Sequence, residues 1–172
     1  ISLEIPSMLE VMELDENDEV IYYPCYVAEI AASAFNGISV LQSVTVISEM
    51  SITIGERAFY KSSLNSVEIA NATEIGAEAF MDCASLAKVM LTGVGNIEAS
   101  AFENCTGLKE VVLDAMTDMP EAPTIGAKAF YNCSAMTKLD ATGNWSIADD
   151  AFEGVNVPYT YVFLYDDNGV ED

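Results

Sequence analysis

Histidine is absent from this 172-residue chain. That absence removes Ser-His-Asp and Cys-His catalysis, HExxH metalloprotease chemistry and every His-ligated metal site. Basic residues are scarce too: 6 Lys+Arg stand against 28 Asp+Glu, a formal net charge of −22. Nucleic acid is excluded as a partner, because neutralising a phosphate backbone takes clustered Lys and Arg. Anionic membrane surfaces are disfavoured for the same reason. No stretch of about eighteen apolar residues occurs, so no spanning helix and no membrane insertion by these residues is expected. The four cysteines, at positions 25, 83, 105 and 133, form no CxxC pair of the kind that marks zinc or redox sites. Neither a basic n-region nor an apolar h-region follows Ile1, so any signal peptide or anchor is expected to lie outside this segment.

What is present is a repeat. The chain is 51% hydrophobic, enough for one folded domain and too apolar for a disordered one. Ala-Phe recurs at Phe35, Phe59, Phe80, Phe102, Phe130 and Phe152, at intervals of 24, 21, 22, 28 and 22 residues. An Ile stands five residues before each Phe (Ile30, Ile54, Ile75, Ile97, Ile125, Ile147), and a small, often Cys, position follows. The clearest copy, residues 75–91, reads I-G-x-x-A-F-x-x-C-x-x-L-x-x-V-x-L. Its last triplet alternates apolar and variable residues, the period of a strand with one buried face. Short strands are therefore predicted at 44–46, 67–69, 89–91, 111–113 and 139–141, with outlying copies at 3–5, 20–22 and 161–163. The I-G-x-x-A-F segment predicts one turn of α- or 3₁₀-helix laid against the strands.

A unit of about 22 residues cannot bury its apolar face alone, so the units must stack into one continuous core. The predicted fold class is an α/β repeat solenoid with one short strand and one helical turn per unit. The 28-residue interval carries an insertion that includes 117–123, where Pro120 and Pro123 cannot sit inside a hydrogen-bonded ladder. Such a loop is a candidate for binding.

These motifs resemble the BspA-like (Treponema-type) leucine-rich repeats, whose unit joins L-x-x-I-x-I-P to I-G-x-x-A-F-x-x-C. The resemblance spans nearly the whole chain and implies a right-handed leucine-rich-repeat superhelix. It divides residues 1–172 into degenerate N-terminal repeats or a cap (1–29), six units (30–156), and a C-terminal cap strand with an acidic tail (157–172). It also implies a secreted or cell-surface bacterial protein serving in adhesion or ligand binding. The family's post-strand proline is kept only at Pro6 and Pro24, and the cysteine position holds Ile38 and Ser62 in the first two units.

Stacking places Cys83, Cys105 and Cys133 in one column, read as small core residues, with disulfides between adjacent turns as the competing reading. Outward strand positions form ordered rows: Thr45, Glu68, Met90, Val112 and Asp140, beside Ser43, Ser66, Lys88, Glu110 and Lys138. The candidate ligand-binding residues are Ser66, Glu68, Lys88, Met90, Glu110, Val112, Lys138 and Asp140 on the expected concave strand face, together with Trp145, the only tryptophan. Apolar Met90 and Val112 among charges suit an extracellular protein, or a glycan, as partner. An ordinary exposed sheet with cross-strand ion pairs explains the rows equally well, and a capping role explains Trp145.

Both ends are acidic. Residues 1–56 hold 10 acids and no Lys or Arg, and residues 139–172 hold 8 acids and none. Solubility of the end units is the simplest reason; the runs at 15–19 and 166–169 lack the EF-hand calcium pattern. Sequons stand at Asn71, Asn104, Asn132 and Asn144, two of them by-products of the repeat. Asp149-Asp150 is the one adjacent acid pair near a repeat core, and adjacent residues on a turn point apart, so no glycosidase-like pair is expected. No enzyme, cofactor or metal is expected, and the chain is expected to be a monomer. A spacer that holds other domains away from a surface is the alternative to a binding module.

Overall fold

Val67, Ile69, Val89, Leu91, Val111 and Leu113 occupy alternate positions of three successive triplets, and in the computed structural model of the chain each is at most 1% exposed. The structure describes residues 1–6, 9–14, 17, 20–117 and 120–157. Among them the strands are β1 (Ser2–Ile5), β2 (Leu9–Leu14), β3 (Val20–Cys25), β4 (Glu29–Ile30), β5 (Ser43–Val46), β6 (Ile52–Ile54), β7 (Ser66–Ala70), β8 (Ala72–Ile75), β9 (Lys88–Val94), β10 (Asn96–Ile97), β11 (Glu110–Ala115), β12 (Thr124–Ile125), β13 (Lys138–Thr142) and β14 (Ser146–Ile147). The first sheet runs β1-β5-β7-β9-β11-β13 and the second β14-β12-β10-β8-β6-β4, all parallel. Each residue of the first sheet pairs with its equivalent one unit away, as in Val67↔Val89 and Val111↔Leu139. One apolar cluster joins both sheets to the phenylalanines.

The predicted helical turn is replaced by something else. Among the described residues there is no helix. The motif Ile supplies a second parallel sheet that the sequence reading did not anticipate, and I-G-x-x-A-F is a chain of linked turns. In the third unit, Ala79, Met81 and Cys83 donate their N–H groups to carbonyls three residues back, whereas Glu78, Phe80 and Asp82 donate to Ala99, Ala101 and Glu103 of the next unit. A helix would consume every N–H internally. Here alternate N–H groups are turned outward by residues in the left-handed region two before and two after the Phe: Arg57 and Lys61, Glu78 and Asp82, Ser100 and Asn104, Lys128 and Asn132, all with φ between 54° and 60°. The gain is a third ladder between units, which offsets the cost of about 1–2 kcal/mol per left-handed residue.

Stacking also explains the motif's Gly and Phe. A Cβ on Gly76 would lie 2.7 Å from the Ile54 carbonyl oxygen of the preceding unit, closer than a side chain can sit. Successive Phe rings from Phe35 to Phe152 lie 5.0–5.1 Å apart and within 5° of parallel. That is the strand spacing of about 4.8 Å, so one repeat distance satisfies backbone and rings together.

One boundary expectation changes. Residues 20–22 do not join the stack: β3 pairs antiparallel with β2, and β1 pairs directly with β5. Residues 6–28 are thus an insertion within the first unit, between its two strands. The strand expected at 161–163 and the tail to residue 172 lie outside the described residues.

Candidate functional site

The first sheet aligns both expected rows. Ser43, Ser66, Lys88, Glu110 and Lys138 are successive partners in register, as are Thr45, Glu68, Met90, Val112 and Asp140. Burial alternates along each strand. Val89 and Leu91 face the core, while Lys88 is exposed and Met90 half-buried; β11 repeats this with half-buried Glu110 and Val112 between buried Val111 and Leu113. Met90 and Val112 therefore form an apolar centre, flanked in their row by exposed Glu68 and Asp140.

The neighbouring row is electrostatically closed upon itself. Lys138 Nζ donates to Glu110 Oε1 at 2.7 Å, and Lys88 Nζ lies 3.8 Å from Glu110 Oε2. The hydrogen bond from Lys138, with the charges of both lysines, holds the Glu110 carboxyl below its usual range, and the same contact raises Lys138. Farther along β11 and β13, Thr142 Oγ1 donates to Asp114 Oδ1 at 2.6 Å. The face thus offers two half-buried apolar side chains bordered by a paired Lys-Glu-Lys chain and by single carboxylates.

Trp145 belongs elsewhere. Its ring is only 7% exposed, and its Nε1 donates to the Thr142 carbonyl at 2.9 Å. Its place as a contact aromatic is corrected: the indole fills the bend between β13 and β14, where Thr142 offers a carbonyl acceptor.

The cysteine column is structural. Cys83, Cys105 and Cys133 are free thiols. Their sulfurs donate to the carbonyl oxygens of Phe59, Phe80 and Phe102, one unit back, at 3.1, 3.1 and 3.3 Å. Burial pushes all three thiols up, Cys133 to about 12, so they stay protonated and are poor nucleophiles. Side-chain contacts of Cys25 fall outside what is described.

Sequence reasoning missed a polar ladder along the turn edge. Asn132 Nδ2 donates to Asn104 Oδ1 at 2.9 Å, Asn104 Nδ2 donates to Asp82 Oδ1 at 3.0 Å, and Arg57 Nε donates to Glu78 Oε2 at 2.7 Å. The signal was available: the position two after each Phe reads Gly37, Lys61, Asp82, Asn104, Asn132, Gly154, rich in the residues that tolerate a left-handed backbone. The ladder engages the amides of two sequons, and Asn71 Nδ2 is bound to the Ser48 carbonyl. Among the described residues no group of three or more acids or cysteines is placed to hold a metal. The acidic run at 166–169, and all of the run at 15–19 but Asn17, lie outside those residues.

The family described as BspA type leucine rich repeat region matches this chain in six copies, over residues 16–123 and 123–163. A solved leucine-rich repeat protein from Bacteroides capillosus ATCC 29799 is 23% identical, with 81% of this chain and 75% of that chain covered and a TM-score of 0.39. No curated protein matches.

Proposed function

Because the chain belongs to the BspA-type leucine-rich repeat family, whose repeats generally serve as protein-interaction modules, we propose that it is a non-enzymatic, secreted or surface-displayed adhesion module. It binds an extracellular protein through the outer face of the first sheet and the 117–123 insertion. The observation that carries this reading is the apolar pair Met90 and Val112, half-buried in register at the centre of a face that is otherwise charged or polar. Such a centre with a polar rim is the anatomy of a protein contact rather than of a carbohydrate groove. Ordering costs little here, because the parallel ladder holds both side chains in place before binding.

The test is binding of labelled protein to an array of extracellular-matrix proteins and polysaccharides, at low and physiological salt. Selective capture that survives physiological salt, and that falls at least tenfold in Met90→Asp and in the Lys88→Glu/Lys138→Glu pair, is expected. Capture that ignores both substitutions removes this face from the reading.

The self-paired Lys88-Glu110-Lys138 chain favours one alternative, a spacer with no ligand of its own, since its charges already satisfy one another. Failure to capture any array member at either salt concentration would favour that reading.

A further inference from the structure

The long insertions in the stack fall on one edge, where the chain passes from the first sheet to the second. Residue 71 or residue 95 alone makes this passage in the two tightest units and 143–145 make it in the last, whereas 47–51, 116–123 and 6–28 make it in the others. The two inserts nearest the N-terminus adjoin. Ile47 N–H donates to the Ile5 carbonyl at 3.2 Å, and Thr53 N–H donates to the Ala28 carbonyl at 3.0 Å, so loop 47–51 leaves and returns one layer from the hairpin β2–β3. That loop exposes Ile47 (61%) and Met50 (51%), and Tyr26 (45%) stands where the hairpin returns. The loop is pinned: Ser48 Oγ donates to the Met50 carbonyl, and Asn71 Nδ2 to the Ser48 carbonyl.

The hairpin itself lacks a partner sheet. Among the described residues β2 and β3 pair only with each other, and a lone two-stranded hairpin is marginal in water. Register places Leu9, Val11 and Glu13 with Cys25, Tyr23 and Ile21 on one face, and Glu10, Met12 and Leu14 with Pro24, Tyr22 and Val20 on the other. Neither is the polar face that a free hairpin turns to solvent. Pro24 also distinguishes the two edges. A strand tolerates proline where its missing N–H would face away from the partner, which blunts the outer edge of β3 and makes Glu10↔Pro24 an outward-facing pair. Alternation then turns the N–H groups of Glu10, Met12 and Leu14 outward along β2, whose edge carries no proline.

We propose that the outer edge of β2, with Ile47 and Met50 beside its base, is a second docking surface that takes an extended, basic segment of a partner protein as an added strand. Main-chain hydrogen bonds supply the pairing in this mode, and alternate side chains supply the selectivity. Charge decides the partner's chemistry. Residues 1–56 hold 10 acids and no Lys or Arg, four of the acids at positions 15–19, between β2 and β3 in sequence, so a basic strand is attracted and a second copy of this chain brings like charge against like. This surface is separate from the first-sheet face and does not depend on it.

The experiment uses the full chain and two fluorescein-labelled decapeptides that alternate Val and Tyr with either Lys or Glu, read by fluorescence polarisation, with sedimentation to follow self-association. The Lys peptide is expected to bind, more weakly as salt rises, and the Glu peptide is not. Met12→Pro removes one outward donor without touching the β2–β3 pairing, and at least a tenfold loss of affinity is expected. Asp15→Asn/Glu16→Gln/Asp18→Asn/Glu19→Gln leaves every strand residue in place, and should both weaken the Lys peptide and flatten its salt dependence. Equal binding of the two peptides, or full affinity in both variants, overturns the proposal. A concentration-dependent dimer abolished by Met12→Pro also overturns it, by assigning the edge to a second copy. The four-acid variant keeps the test decisive if the proline variant does not fold.

Discussion

Cys105 Sγ–H donates to the carbonyl oxygen of Phe80 at 3.1 Å, one layer back along the stack. The same oxygen accepts the N–H of Cys83 at 3.3 Å within its own unit. A thiol thus closes a contact between units that the backbone turn leaves half-used, and the motif's cysteine becomes a connector rather than a reactive group.

Reactivity checks this directly. With burial holding the Cys83, Cys105 and Cys133 thiols well above the ordinary range, iodoacetamide at pH 8 should modify them at least 100-fold more slowly in the native protein than in urea, peptide by peptide in mass spectrometry. Native labelling at the denatured rate would refute the buried column. Ser62 occupies the equivalent place at 4% exposure, 3.2 Å from Cys83 Sγ, so Cys105→Ser should cost no more than about 1 kcal/mol in urea unfolding.

Position along the Phe stack sets what each ring contributes. Phe102 is fully buried between Phe80 and Phe130, whereas Phe152 is half-buried with a ring partner on one side only among the described residues. Phe102→Ala should cost about 3–5 kcal/mol, and Phe152→Ala clearly less. Because solenoid stability propagates between nearest neighbours, the central substitution should also split or broaden the denaturation curve. Equal losses at the two sites would contradict the stack as the main source of inter-unit cohesion.

Glu110 gives a pH dependence with a definite sign. Its folded-state carboxyl is depressed, chiefly by the hydrogen bond from Lys138, so its contribution is complete above the ordinary glutamate range and is lost as pH falls through the lowered value. Lys138 is raised, so its share is complete below the ordinary lysine range and disappears as pH climbs through the raised one. An NMR titration should place the Glu110 midpoint below that of a free glutamate, and Lys138→Met should return it most of the way. An unmoved midpoint in that variant would show that Lys88 alone sets the local charge. Lys138 is exposed and Glu110 only half-buried, so solvent screens the pair and global stability should hardly change.

The strand triplets were legible because alternation has one physical meaning: Val89 and Leu91 can be buried together only if Met90 faces the other way. Equivalent position in successive triplets then placed Glu110 between Lys88 and Lys138 without any coordinates. The turn edge was misread because Ile75, Ala79 and Phe80 carry the same apolar spacing in a helical turn as in linked turns, and only the destination of each N–H separates the two. Trp145 was ambiguous for a related reason, since a lone aromatic at a bend is written alike whether its indole meets solvent or the Thr142 carbonyl.

The sequence alone thus determined the repeat, its core positions and the exposed rows, because periodic burial of apolar side chains needs nothing beyond the order of residues. Tertiary structure decided the second sheet, the left-handed turn ladder, the thiol-to-carbonyl contacts and the separate hairpin β2–β3. Each depends on hydrogen bonds between residues about twenty apart or on a change in pairing partner, and no local pattern records where a backbone N–H finds its acceptor.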